Sequence, residues 1–494
     1  MNQRGLLLFK WLPLIAVLSA TTFAADRKPN FIFVFTDDQR WDALGVVQRE
    51  QGEKGRFPWL HTPNLDRLAA EGVRFRNAFV VNALCAPSRA TLITGQYGHV
   101  NGVVNNHTPH PAGNISLPAL LRPAGYVSGY VGKWHHGNQS GKRPGFDYSA
   151  SFIGQGKYFD CPVEVNGEKT PSQGWIDDVT TDYATSFIRD NQKKPFLLIL
   201  GYKTCHGPFT PPERHAKTYE GEQARQVPNL TVKAPYGGNA LSRPQQNRRA
   251  RAERTGDVIS APSSPTVPTN LGMFRAITAI DDNVGKLLEL LDELKLTEDT
   301  VVCFSSDNGY YLGEHGLGDK RSAYEESMRI PMLVRYPRMI AKGRTEDRIV
   351  LNVDPAPTFL DLAGVPVPAS MHGRSWKPLL EGKADVPWRK SFFYCYFFER
   401  GFNTPTTTAV RTETAKLIKY AGHEEWTELF DLKSDPYEMK NLAADSAYAE
   451  LRQTLEIEYE QEAKAIDFKI PDFADQPAPN ASGTEPVAND KAPN

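Results

Sequence analysis

Four apolar runs along the chain end abruptly in polar residues. The segment "NFIFVFTDDQ" (30–39) closes on Asp37 and Asp38, and "GYVSGYVGKWHHG" (125–137) closes on Lys133 and His135. "PFLLILGYKTCHGPF" (195–209) reaches His206, and "TVVCFSSDNG" (300–309) ends in Asp307 and Asn308. Continuous apolar runs without polar alternation predict strands covered on both faces. Between them, "HTPNLDRLAAEG" (61–72) and "MFRAITAIDDNVGKLLELLDEL" (273–294) carry the apolar spacing of helices. This alternation predicts an α/β fold on a mostly parallel sheet.

In open parallel sheets, ligands collect beyond the carboxyl ends of the strands. A single Asp-Asp pair after a strand has an ordinary explanation as a turn or helix cap. Four strands that each finish in metal-ligand or acid/base residues predict one shared site. From about residue 386 the texture changes: "SFFYCYFF" and "TTTAVRTETAKLIKYAG" read as strands and precede a charged helical run. The expected organisation is a catalytic domain over 25–385 and a smaller α+β subdomain over 386–471. Residues 472–494, rich in Pro, Ala, Asn and Asp, read as a disordered tail.

The start of the chain runs from Arg4 and Lys10 through "WLPLIAVLSA" to Ala24 and Ala25, the pattern of a secretory signal peptide over 1–24. Export to the periplasm or the medium is therefore expected. An uncleaved anchor is the alternative, but the run is short for a span, and no later segment has the apolar length for one. The mature chain is expected to cross no membrane. A net charge of -1 over 494 residues excludes a globally basic nucleic-acid binder, so no nucleic-acid partner is expected. Locally, "SRPQQNRRARAERTG" within 220–270 fits either an anion contact or a solvated loop.

The five cysteines, Cys85, Cys161, Cys205, Cys303 and Cys395, lack paired or zinc-binding spacing. Burial as small hydrophobes accounts for Cys161, Cys303 and Cys395. Cys85 stands apart in "CAPSRATLITGQ", with Pro87 two positions on and Arg89 four positions on. This segment resembles the sulfatase signature. "FVFTDDQ", "GKWHHG", "HGPF" and "SSDNGYYLGEHGLGDKRSAYEESMRIPMLV" resemble further motifs of that family and occur in its order. The resemblance implies an alkaline-phosphatase-like fold, a mixed and mostly parallel sheet sandwiched by helices. It also implies that Cys85 is a precursor, oxidised to the aldehyde formylglycine by a formylglycine-generating enzyme that reads the unfolded chain.

By the same resemblance Asp37, Asp38, residue 85, Asp307 and Asn308 hold a metal ion. Hard oxygen donors favour calcium or magnesium over zinc, and the family selects Ca2+. A sulfate ester is anionic, so a divalent cation with Arg89, Lys133 and Lys320 neutralises charge at the reacting group. Lys133, His206 and Lys320 are the expected substrate-binding residues. The resemblance further implies a hydrated aldehyde at residue 85, one hydroxyl of which attacks sulfur while the other, deprotonated by His135, later expels sulfate. His206, with Lys320, is expected to protonate the departing alcohol. His315 is expected to support the site from behind, and His136 to face substrate or solvent.

Export, chain length and aromatic and amide residues around the expected rim, including Trp134, Tyr310 and "VVNNHTPH" (103–110), point to a sulfated carbohydrate substrate. The family members most similar in this respect are exo-acting sulfatases of glycosaminoglycan or marine-type polysaccharides. Two alternatives stay open. One is a phosphatase or phosphodiesterase of the same superfamily, which usually carries Ser or Thr as nucleophile and further ligands for two zinc ions. The other is a non-catalytic sulfated-glycan-binding protein. The complete motif set, with Cys85 and Asn308 in place, stands against both.

Overall fold

The centre of the fold is a set of five parallel strands in the order Thr300–Ser306, Asn30–Thr36, Phe196–Gly201, Val127–Lys133 and Tyr148–Phe152. These are known from a computed structural model that describes residues 27–237, 269–340, 343–399 and 402–471. The expected signal peptide (1–24), the C-terminal tail (472–494) and residues 238–268 of the Arg-rich stretch lie outside the described residues. Antiparallel and short strands flank the centre on both sides and complete a ten-stranded mixed sheet.

Strand pleating explains why the central runs are apolar throughout. Phe31, Phe33 and Phe35 face one core layer with Leu197, Ile199, Val301 and Cys303, beneath helices that include Cys85–Thr94 and Pro355–Leu362. Ile32 and Val34 face the opposite layer with Leu198 and Leu200. That layer is closed by the helices Pro63–Ala70, Ile176–Asn191 and Leu271–Glu293, through Leu65, Ile188, Ile280 and Leu287 among others. With both faces covered, each fully buried Phe, Leu or Ile contributes about 1.5–3 kcal/mol relative to exposure. No helix among the described residues is long and apolar enough to cross a membrane.

A second, four-stranded sheet is an antiparallel meander of Ser391–Tyr396, Thr407–Thr412, Ala415–Tyr420 and Glu428–Asp431, packed against the helix Ala449–Ala465. It shares a core with the large sheet: Phe392, Phe393 and Tyr394 pack in the same cluster as Phe79 and Val81. The Cys395 N–H donates to the Val81 carbonyl at 3.0 Å, and the Ala83 N–H to the Tyr394 hydroxyl at 3.3 Å. The small sheet is thus fastened to the segment that leads directly into Cys85.

Candidate active site

The strand ends are tied together before any side chain enters. The Asp37 N–H donates to the Thr204 carbonyl at 2.7 Å, the Cys205 N–H to the Asp37 carbonyl at 2.6 Å, and the Asp307 N–H to the Thr36 carbonyl at 3.0 Å. This register carries Asp37, Asp38, Asp307 and Asn308 to one point at the carboxyl edge of the sheet. Asp38 takes a left-handed backbone (φ 65°), and its N–H donates to Asp307 Oδ1 at 3.2 Å. Carboxylate oxygens of Asp37, Asp38 and Asp307 lie within 4.8 Å of one another, and all three residues are buried.

Cys85 is the first residue of the helix Cys85–Thr94, every residue of which is buried. Its Sγ lies 3.6 Å from Asp37 Oδ1. Pro87 falls in the first turn, where its missing N–H leaves no helical bond unmade. Gly95 ends the helix in a left-handed conformation (φ 66°) that glycine adopts without strain. Arg89, one turn after Cys85, points back under the strand ends. Its Nε and Nη2 donate to Asp307 Oδ2 at 2.9 and 2.7 Å, Nη2 also reaches Asp37 Oδ2 at 3.0 Å, and Nη1 donates to the Lys133 carbonyl at 2.6 Å.

Two lysines complete the cationic set. The Lys133 ammonium pairs with Asp37 Oδ2, and Lys320 Nζ donates to Asp38 Oδ1 at 2.6 Å. Burial by itself raises the Asp37 carboxyl, but Lys133, His206 and Arg89 more than offset it and hold Asp37 well below the usual carboxylate range. For Asp38 burial wins: with Asp37 and Asp307 adding repulsion against the attraction of Lys320, its carboxyl is pushed up to about 7. Burial and the Asp37 charge push the Cys85 thiol up, so it is a poor thiolate nucleophile as it stands. Burial, helped by Lys133, keeps His135 and His206 well below the ordinary histidine value.

The donor set fits a hard divalent cation. Asn308 Nδ2 is bonded to Asp38 Oδ1 (2.6 Å) and to the Gly309 carbonyl (2.8 Å), while its buried Oδ1 has no hydrogen-bond partner among the described residues. An orphaned amide oxygen beside three converging carboxylates is the arrangement an oxygen-seeking ion satisfies, and its charge relieves the repulsion that raises Asp38.

Above this floor opens a cavity of about 560 Å³. Asp38, His135, His206 and Lys320 line its base, and Asn106, Gln155, Tyr310, Arg321, Glu399 and Phe402 contribute to its walls. Glu399 joins two wall segments, accepting from the Asn106 N–H (3.0 Å) and from Arg321 Nε (3.1 Å). The Arg321 guanidinium also pairs with Asp319 and lies 3.4 Å from the centre of the Phe402 ring. A mostly polar wall with two aromatic side chains, Tyr310 and Phe402, suits a hydroxylated, anionic ligand.

Asp37, Asp38, Cys85, Arg89, Lys133, His135, His206, Asp307, Asn308 and Lys320 are all brought to this one place. The expectation for Trp134 is corrected: it is 1% exposed and packs edge-to-face on Tyr130 and His136, so it belongs to the core and not to the rim. Tyr310 does line the cavity. His136 faces neither substrate nor solvent; it is fully buried between Trp134 and His110. His315 lies behind the cavity, stacked on Tyr324 at 3.9 Å with Nε2 3.6 Å from Glu326. Sequence reasoning missed Gln155, Arg321, Glu399 and Phe402. Gln155 follows the end of a fifth parallel strand, Tyr148–Phe152, whose small polar residues offer no apolar run to mark it.

Comparison with known proteins agrees with this geometry. The family model described as Sulfatase matches residues 29–365, and one described as N-sulphoglucosamine sulphohydrolase, C-terminal, matches residues 313–465. An N-acetylglucosamine-6-O-sulfatase of Bacteroides thetaiotaomicron is 32% identical, over 90% of this chain and 88% of its own. The human N-acetylglucosamine-6-sulfatase is 27% identical, over 85% of this chain and 82% of its own. Among solved structures, one in complex with its substrate D-glucosamine-2-N,6-O-disulfate superimposes with a TM-score of 0.79 at 30% identity, covering 89% of this chain and 98% of that one. The phosphonate monoester hydrolase of Agrobacterium radiobacter shares the fold, with a TM-score of 0.69 at 22% identity over 89% of this chain and 96% of its own. Strand-end carboxylates, a buried cysteine motif and these matches lead to one conclusion: the chain belongs to the sulfatase family, whose members use formylglycine and a metal ion, and it is a sulfuric ester hydrolase.

Proposed function

We propose that this protein is exported and hydrolyses a sulfate ester on a glucosamine-type sugar of glycosaminoglycan, acting at a chain end, with residue 85 as nucleophile after conversion of Cys85 to formylglycine. The observation that carries the reading is the position of Cys85: 3.6 Å from Asp37, at the convergence of three carboxylates, under a polar cavity based on Lys320 and two histidines. The relatives that act on N-acetylglucosamine 6-sulfate and the neighbour bound to a disulfated glucosamine support the sugar class.

Asp37, Asp38, Asp307 and the Asn308 amide oxygen are the residues that would hold Ca2+, and the bound ion would supply charge neutralisation at the sulfate and at the oxygens of residue 85. Arg89 fixes Asp37 and Asp307 in place from below. Lys133 and Lys320 bring positive charge against the transferring group. His206 Nδ1 donates to the Gly207 carbonyl at 2.9 Å, so Nε2 of the neutral ring is bare and can protonate the leaving alcohol only after taking up a proton itself, whereas Lys320 beside it already carries a proton to donate. His135, also at the base of the cavity, is the residue that manages the second hydroxyl.

The test is peptide mass spectrometry across residue 85, on protein made with a formylglycine-generating enzyme, paired with sulfate release from N-acetylglucosamine 6-sulfate and from glucosamine 2-N,6-O-disulfate. Formylglycine at residue 85 and release that Cys85→Ala abolishes are expected. Fully modified protein that frees sulfate from neither sugar overturns the substrate assignment.

A further inference from the structure

Gln155 sits where three cationic or basic groups of the site meet. It follows the strand Tyr148–Phe152 and lines the cavity. Its side-chain Oε1 accepts from Lys133 Nζ at 2.5 Å, its Nε2 lies 3.1 Å from His135 Nε2, and its backbone carbonyl accepts from Lys203 Nζ at 2.9 Å. An ammonium only donates, so the amide must turn its oxygen to Lys133. The amide nitrogen, which only donates, then faces His135, and Nε2 of His135 has to be the accepting nitrogen. An uncharged imidazole that accepts at Nε2 carries its proton on Nδ1. That Nδ1 is buried and has no hydrogen-bond partner among the described residues.

We propose that Gln155 is a positioning residue that fixes His135 in the Nδ1–H tautomer while the same amide holds Lys133. Its catalytic meaning rests on the sulfatase reading above; its structural content does not. The consequence narrows what His135 does. It enters the reaction as a hydrogen-bond donor through Nδ1, and it accepts a proton at Nε2 only when the Gln155 contact opens. The chain of cause runs from the hydrogen bond that Lys133 donates, through an amide that has a donor end and an acceptor end, to the choice of ring nitrogen.

Gln155→Glu isolates this role, because it preserves an acceptor for Lys133 and replaces the amide donor facing His135 with a second acceptor. Nitrogen-15 spectra of the histidine-labelled, matured full chain, with the His135 signals assigned by their loss in His135→Asn, read the tautomer directly. The wild type is expected to be protonated at Nδ1 and bare at Nε2, and Gln155→Glu to gain a proton at Nε2. The expected kinetic effect of Gln155→Glu, and of the neutral Gln155→Met, is a fall in kcat of about 10- to 100-fold with a smaller change in KM. A wild-type His135 protonated at Nε2 overturns the proposal whether or not any variant folds. So does a Gln155→Glu protein whose spectrum and kcat match the wild type. If no sulfated sugar is turned over, the spectra still decide the tautomer, so failure of the sulfatase reading is distinguishable from failure of this one.

Discussion

Arg89 bridges two strand ends: its Nη2 lies 2.7 Å from Asp307 Oδ2 and 3.0 Å from Asp37 Oδ2, with all three side chains out of contact with solvent. Removing one partner from a buried ionic group leaves uncompensated charge and costs about 3–5 kcal/mol. Arg89→Met is therefore expected to lose about that much stability when the protein is held in chelator, and less in excess calcium, where the cation takes over part of the neutralisation. Urea unfolding in the two conditions makes the comparison. An equal loss in both removes the link between Arg89 and the ion.

Asn308 presents a buried oxygen without a partner among the described residues. Asn308→Ala is expected to weaken calcium binding by at least about tenfold, with far-UV circular dichroism unchanged. Titration calorimetry on the chelator-stripped chain measures it. Unaltered affinity would show that the amide is not a ligand.

Lys320 reaches Asp38 at 2.6 Å and lines the cavity base. Burial works against its charge, but Asp38 and neighbouring acids hold its ammonium well above the usual lysine range. On the proposed role of Lys320 as a donor to the leaving oxygen, Lys320→Met is expected to lower kcat by about 10²–10⁴-fold. Substrates with a more acidic leaving group should recover most of that loss. Equal losses for poor and good leaving groups would confine Lys320 to binding.

Glu438 gives a pH prediction away from the metal residues. Burial, with the Glu325 and Glu326 charges outweighing Lys416, pushes its carboxyl up from 4.5 to about 7. The folded chain then binds more protons than the unfolded chain between those values, so this group's contribution to stability is present below about 4.5 and is lost as pH rises to about 7. Glu438→Gln mimics the protonated form. Relative to the variant, the wild type should therefore lose on the order of 1–3 kcal/mol across that interval. Urea unfolding of both proteins at several pH values tests the sign, and a constant difference between them contradicts it.

The parts of the site legible in sequence are those whose signal is local. Asp37 and Asp38, Lys133 and His135, His206, and Asp307 and Asn308 each follow an apolar run, so strand and functional residue are read together. The strand Tyr148–Phe152 is not legible in the sequence because "YSASF" has small polar residues where strands such as Asn30–Thr36 and Phe196–Gly201 have Val, Leu, Ile and Phe. Gln155 was lost with it. The Arg321–Glu399 contact joins positions 78 apart and has no local pattern at all. Trp134 was misplaced for a different reason. Adjacency to Lys133 and His135 does not determine which way a side chain turns, and here it turns into the aromatic cluster with Tyr130.

The helix that begins at Cys85 imposes an order of events. Not one of its ten residues is open to solvent, and the residues leading into it are pinned by Tyr394 and Cys395 of the small sheet. Any enzyme that must grip this segment has to do so before the two sheets close on each other. On the proposed conversion of Cys85 to formylglycine, maturation and folding compete for the same stretch of chain. A copy that folds first would keep its thiol sealed inside, and a maturation enzyme supplied afterwards is expected not to revive it unless the chain is first unfolded.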